Sequence, residues 1–344
     1  MSGERLREFE KMRGIAILAV VIIHVTAGAT IAFSPEGYSY FLYNIVNSLL
    51  QFAVPVFLFI SSVVLAWKLS NEEISLSKFY GKRMQGVLIP YLLWSFLYIA
   101  FKYLTSGGRM NLSGSFIVQE LLNGTAYYHL YFLLIIVQLY FFLPLILPML
   151  GRMKFSQVFI LTFLLQVLFY YLNRNWFYQF YPYPANLLGS YLSVFMIGCW
   201  FGLNYQKGKA FLQKYQGYFW MLHLVLTTIF VIINIRLRMG LNVGLVTYYG
   251  SYHFFVLASA VSIWLFSLQG QSFILQKIGD YSFSIYLVHP FFLAIWHYLW
   301  LALGVGSTSH FFYLVGFLFT LVFSYAASYV FAKWRILGRI FLGR

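Results

Sequence analysis

Apolar runs of roughly twenty residues recur along the chain, separated by short polar segments. They predict ten membrane-spanning helices, at about 14–33, 41–67, 84–104, 129–150, 157–172, 187–205, 217–235, 247–268, 282–303 and 310–331. A helix rises about 1.5 Å per residue, so about 20 apolar residues cross a hydrocarbon core of roughly 30 Å. The fifth, sixth and seventh runs are short or flanked by polar residues. The pattern therefore predicts an all-α, polytopic membrane protein. The first run is too long for a signal peptide and lacks a small-residue cleavage site, so it reads as a span. No internal repeat of the kind that marks many transporters is evident.

Composition narrows this reading. Hydrophobic residues make up 61% of the 344 and charged residues 9%, against about 25% charged in soluble domains. The length suits one transmembrane domain over residues 1–344, with no room for a separate soluble catalytic domain. The single Cys199 excludes an intrachain disulfide and reads as a buried spectator.

The formal charge of +15 raises the question of a nucleic-acid partner. Its distribution answers it. Of the 23 Lys and Arg, 18 fall in the two termini and alternate connections, among them Arg5, Lys11, Arg13, Lys68, Lys78, Lys82, Arg83, Lys207, Lys333 and Arg344. The other connections hold Lys102, Arg109, Arg174, Arg236 and Arg238. A nucleic-acid binder would gather its charge on one domain. Alternation is the positive-inside bias, and it places both termini in the cytoplasm.

The candidate chemistry lies in a few polar residues. All eight carboxylates fall outside the predicted apolar spans. Ion-coupled transporters place carboxylates within theirs, so a proton-driven pump is disfavoured. His24 lies inside the first span and Arg13 at its mouth. Eleven residues apart, they are separated by roughly 16 Å along the axis and by about three full turns, so they share a face. If the hydrocarbon begins near Gly14, His24 sits about halfway into it. His129 opens the fourth span and His289 lies inside the ninth; either position also suits a hydrogen-bonded packing residue. No H-E-x-x-H motif or paired Cys/His spacing exists, so no metal is expected. No G-x-S-x-G elbow exists either, and Ser61, Ser62, Ser282 and Ser284 read as packing residues.

Lys78, Lys82 and Arg83 precede the third span on the same side as Arg13. They suit either a cytoplasmic anion site or ordinary positive-inside charge. Two outer connections stand out. Thr105–Tyr128 carries G-G and N-G turn signals, and Asn173–Ala185 mixes aromatics with Asn, Arg and Gln. The second has groups that stack on and hydrogen-bond a sugar; it also has the composition of an interfacial aromatic belt.

Several stretches together resemble the acyltransferase 3 family of membrane acyltransferases. They are R-G-I-A-I-L-A-V from Arg13 with His24 beyond it, V-P-V-F-L-F-I-S-S at Val54–Ser62, K-R-M-Q-G-V-L-I-P-Y at Lys82–Tyr91, H-L-Y-F-L-L-I-I-V-Q-L-Y-F-F-L-P at His129–Pro144, F-M-I-G-C-W-F-G at Phe195–Gly202 and Y-S-F-S-I-Y-L-V-H-P at Tyr281–Pro290. Within the family, the chain is most similar to the bacterial subgroup tied to the biofilm polysaccharide poly-N-acetylglucosamine, described either as its O-acyltransferase or as its exporter. The resemblance implies a ten-helix bundle in a bacterial cell membrane. That bundle would pass an acetyl or succinyl group from cytoplasmic acyl-CoA, a donor substrate rather than a bound cofactor, to a carbohydrate hydroxyl. It makes His24 the family's essential histidine and Arg13 its essential arginine. Ser62 and Gly86 depart from the family pattern, which often has glycine and arginine there.

The expected division of labour follows. Arg13 holds the coenzyme A phosphates, the pantetheine arm carries the thioester inward, and His24, left uncharged by its apolar setting, is the general base on the sugar hydroxyl. Acylation of His24 itself is a variant. Tyr286, Asn44, Asn47 or a backbone carbonyl are candidates for orienting the base. Arg83, Tyr286 and His289 are further candidate substrate contacts. Polysaccharide export is the competing reading.

Overall fold

The computed structural model describes residues 6–73, 75–270 and 272–343. Glu4, Arg5 and Arg344 lie outside them. All regular structure among the described residues is helical. In chain order the α-helices are α1 (Glu8–Thr26), α2 (Ala29–Ala32), α3 (Tyr38–Leu50), α4 (Ala53–Asn71), α5 (Leu76–Thr105), α6 (Gly114–Asn123), α7 (Tyr131–Leu150), α8 (Phe155–Leu172), α9 (Tyr178–Phe180), α10 (Leu192–Leu203), α11 (Tyr205–Lys214), α12 (Gln216–Arg238), α13 (Leu245–Leu268), α14 (Phe273–Asp280), α15 (Ser282–Ala302), α16 (His310–Lys333) and α17 (Arg335–Leu342).

Among the described residues, nine continuous helical segments are long and apolar enough to cross a membrane. A tenth apolar segment, Leu188–Leu203, is shorter. Its first turn is a 3₁₀ helix, Leu188–Tyr191. Because 3₁₀ rises about 2 Å per residue, the segment reaches about 26 Å, close to a hydrocarbon thickness. Its residues from Ser193 to Cys199 are buried, so protein rather than lipid surrounds it. The protein is thus an all-α, multi-pass membrane protein.

The helices form two compact units, one from Met1–Ile60 and Gln206–Val330, the other from Ser61–Tyr205 and Phe331–Arg344. In the first, α1 is the central element, burying Phe9, Met12, Ala16, Ile17, Val20, Val21 and Val25. It begins six residues before the predicted span, at Glu8. Glu8 and Glu10 therefore occupy its first turn, where the positive end of the helix dipole favours them. The short α14 crosses this end at contact distance. A Cβ on Gly14 would collide with the Leu275 carbonyl, and one on Gly279 with the Glu10 carbonyl. Such small residues let membrane helix backbones touch. Lys11 completes the junction. Its buried ammonium donates to the carbonyls of Gly270 at 2.6 Å and Gln269 at 3.3 Å, just beyond the end of α13, a favourable place for a cation.

In the second unit, α5 runs 30 residues, about 45 Å. The C-terminal helix α17 lies along it, with Trp94 Nε1 donating to Phe341 O at 2.9 Å and Arg339 Nη2 to Gln85 Oε1 at 3.2 Å. Gly202 lets α10 meet the Val63 carbonyl of α4, and the Ser62 hydroxyl lies against the Cys199 thiol. The serine that departs from the family pattern thus has a packing partner.

The predicted loop Asn173–Ala185 is mostly helical. A π-helical turn, Asn173–Phe177, and α9 prolong α8, because no breaker intervenes before Pro182. Thr105–Tyr128 contains α6, started by the Ser113 side chain and stopped by Gly124 in the left-handed region at φ +68.

Candidate functional site

Three of the sequence-predicted residues meet in the first unit. His24 lies in the last turn of α1. It is 16 residues past the helix start, about 24 Å. Its half-buried imidazole stacks on that of His289 in α15, with centroids 5.2 Å apart and planes 30° apart. The Tyr286 ring stands 6.0 Å from His289.

His289 is fully buried and its tautomer is fixed locally. Its Nδ1 faces the carbonyls of Tyr286 at 2.8 Å and Ile285 at 3.2 Å. Two carbonyl oxygens demand a donor, so Nδ1 carries the proton and, in the neutral ring, the lone pair sits on Nε2. Pro290 follows directly, placing this His within a helix turn whose hydrogen-bonding is already interrupted.

The amide nitrogens of Asn44 and Asn47 are tied to the backbone of their own helix. Asn44 Nδ2 donates to Tyr40 O at 2.9 Å, and Asn47 Nδ2 to Tyr43 O at 2.8 Å. The Thr26 hydroxyl reaches Asn47 Oδ1 at 3.4 Å. Asn234 Nδ2 donates to Ser48 Oγ at 3.0 Å. The carbonyls that orient an imidazole here, those of Tyr286 and Ile285, act on His289.

Arg13, at the opposite end of α1, pairs with Glu10 one turn earlier, Nη1 to Oε1 at 3.0 Å, with the carboxylate the more buried partner. One edge of the guanidinium is thereby fixed, and its other N–H donors remain for a ligand.

Arg83 belongs to the second unit. Together with Lys78 and Lys82 it lines a cavity of about 310 Å³ between the end of α4 and the start of α5. Lys68, which pairs with Glu72 at 3.3 Å, and Glu73 complete its charged wall. The predicted trio does converge. Lys68 was missed as a member, although its i,i+4 spacing to Glu72 marks a charged helix end. Four cations facing two carboxylates leave net positive charge, which suits a phosphate-bearing ligand.

At the other end of α5, a second cavity of about 400 Å³ is lined by Lys102, Gly124, Thr125, Tyr127, Tyr128, Tyr131, Tyr183 and Asn186. Arg83 and Lys102 are 19 residues apart on one helix, about 28 Å, so the two cavities stand a hydrocarbon thickness apart. His129, buried beneath this second cavity, meets the Tyr98 ring edge-on at 5.2 Å and also packs against Tyr127 and Tyr128.

Comparison with known proteins adds to this geometry. The family model described as an acyltransferase domain matches residues 6–329. The chain is 26% identical over 300 residues to the "probable poly-beta-1,6-N-acetyl-D-glucosamine export protein" of Staphylococcus aureus strain MSSA476, covering 83% of this chain and 82% of that one. It is 25% identical over 299 residues to the protein of the same name in Staphylococcus epidermidis, covering 83% and 81%. No solved structure matches the chain.

Proposed function

The chain belongs to the acyltransferase 3 family of membrane acyltransferases, and from that premise we propose that it transfers an acetyl or succinyl group from cytoplasmic acyl-CoA to a hydroxyl of an exported or cell-surface polysaccharide, with His24 as general base. The observation that carries this reading is the His24–His289 stack near the far end of a helix whose near end holds Arg13. Such a helix presents a cation to an anionic carrier and, about 16 Å further on, an imidazole to the group being carried.

In the proposed step the sugar oxygen attacks the thioester carbonyl as His24 takes its proton. The C–S bond breaks, the coenzyme A thiolate leaves, and the proton passes from His24 to that sulfur. The thioester supplies the driving force, so no ion gradient is required. Arg13 is the proposed contact for the donor's phosphates in the first unit, and the Lys78–Lys82–Arg83 cavity is by itself a candidate phosphate site in the second. His289 is a positioning residue, holding the plane of His24 by stacking, and Tyr286 holds His289 through its carbonyl. The acceptor is proposed to be a poly-N-acetylglucosamine-like chain, on the names of the staphylococcal relatives, and the site of action a bacterial cell membrane.

Those same names favour a second reading, export without chemistry. The test compares polysaccharide O-acyl content by NMR in wild-type and His24→Ala cells with matched membrane levels of protein. Transfer predicts loss of ester in the variant. Unchanged ester content overturns the proposal, and failed secretion with unchanged ester supports export.

A further inference from the structure

The aromatic connections at the end of α5 away from the Lys/Arg-rich side are the least explained part of the molecule. Trp176, Phe177, Tyr178 and Phe180 are exposed as belt residues would be, but four tyrosines of the second unit are arranged differently. An interfacial belt turns its rings outward to lipid headgroups. Here Tyr127, Tyr128, Tyr131 and Tyr183 face one concavity, joined by the Thr125 hydroxyl and the Asn186 amide.

The platform is rigid. Tyr127 lies flat against Tyr98, centroids 4.3 Å apart and planes 18° apart, and Tyr98 is fully buried. Asn186 is tied down by its Nδ2 donating to Asn123 O at 2.5 Å and by its own carbonyl accepting from Gln138 at 2.8 Å. Tyr128 and Tyr183 remain 47% and 39% exposed, so their rings are available to a ligand.

The cavity is also close to neutral. Its one cation, Lys102, is matched by Glu120 at 3.0 Å, whose other oxygen accepts from the Thr125 hydroxyl at 3.0 Å. This separates it from the basic cavity at the far end of α5, which suits phosphate. A concavity of about 400 Å³ falls in the size range of small-ligand sites. Rings with phenol tips, a hydroxyl and an amide match a neutral polyol that has apolar C–H faces and a hydrogen-bonding rim.

We infer that this cavity is a glycan-binding subsite that holds an uncharged N-acetylhexosamine unit of the acceptor chain. Tyr128 and Tyr183 stack on ring faces, and Thr125 with Asn186 sets the rim. The sugar class rests on the proposed acceptor; the cavity's neutrality and aromatic lining do not.

The test uses full-length protein purified in detergent and a β-1,6-linked N-acetylglucosamine tetramer, with affinity measured by calorimetry and acylation by mass spectrometry. Tyr128→Ala and Tyr183→Ala should each weaken binding by about tenfold or more, while Tyr128→Phe keeps most of it. Thermal unfolding of each variant checks that it folds. Wild type that binds and acylates the tetramer, with folded Tyr128→Ala and Tyr183→Ala variants that do so equally well, overturns the subsite alone. Wild type that neither binds nor acylates it overturns the subsite and the proposed acceptor together.

Discussion

His24 and His289 come from residues 265 positions apart and meet ring to ring at 5.2 Å. Each is an imidazole carried by an apolar helix. Together they form a polar contact inside a membrane bundle, where ionisable groups concentrate at functional sites.

If His289 orients His24, its effect should appear in turnover rather than in binding. His289→Ala is expected to lower kcat by about tenfold or more with little change in KM for acyl-CoA, and His289→Phe, which keeps the stack, should restore part of the loss. His24→Ala should remove the general base outright, a loss of about 10²–10⁴-fold. Steady-state kinetics with labelled acetyl-CoA and succinyl-CoA distinguish the two. Equal recovery of kcat in His289→Ala and His289→Phe would remove the orienting role.

The Arg13 prediction concerns the donor. Arg13→Ala is expected to raise the KM for acyl-CoA several-fold, with the acceptor KM unchanged. Arg13→Lys should recover only part, because lysine lacks the planar fork that grips phosphate while the Glu10 contact is kept. Arg83→Ala should act in the same direction. A matched rise in both KM values for Arg13→Ala would take the donor role away from it.

The crossing of α1 and α14 predicts a stability effect independent of chemistry. Gly279→Leu would drive a side chain into the Glu10 carbonyl, and overpacking of this kind costs about 1–3 kcal/mol. A lower Tm in detergent is the expected result. Gly81→Ala, where nothing lies within 4 Å of the added carbon, is the control and should leave Tm nearly unchanged.

Cys199 predicts a negative result. It is fully buried against Ser62. Thiol-blocking reagents should leave activity intact, and Cys199→Ala should keep activity with a modest loss of Tm. Inactivation by a bulky maleimide, absent in Cys199→Ala, would show that the α4–α10 contact opens.

The fold was readable in the sequence because a bilayer demands long apolar runs, and runs such as 84–104 and 310–331 report themselves. Even the irregular sixth span, short in residues and opened by a 3₁₀ turn, left an apolar signal at 187–205. What the sequence hid was pairing. Nothing near His24 in the chain points to His289, since helix partners in lipid are chosen by shape and small residues rather than by local pattern. Gly14 reads as an ordinary helix residue until Leu275 is placed against it. The Tyr-lined cavity was half visible: its aromatics and turn glycines stand out, but their convergence depends on Gly124 ending α6 and on α8 continuing as a π turn.

The junction of Gly14, Gly279 and Lys11 has a consequence for selectivity. It fixes the base of α1 to α14, so the span from Arg13 to His24 is an unyielding length of helix. On the proposed reading that length is a ruler. A carrier gripped at Arg13 delivers its thioester to His24 only if its arm has the right reach, so the enzyme would discriminate among acyl donors by the length of their carrier before it met their acyl group.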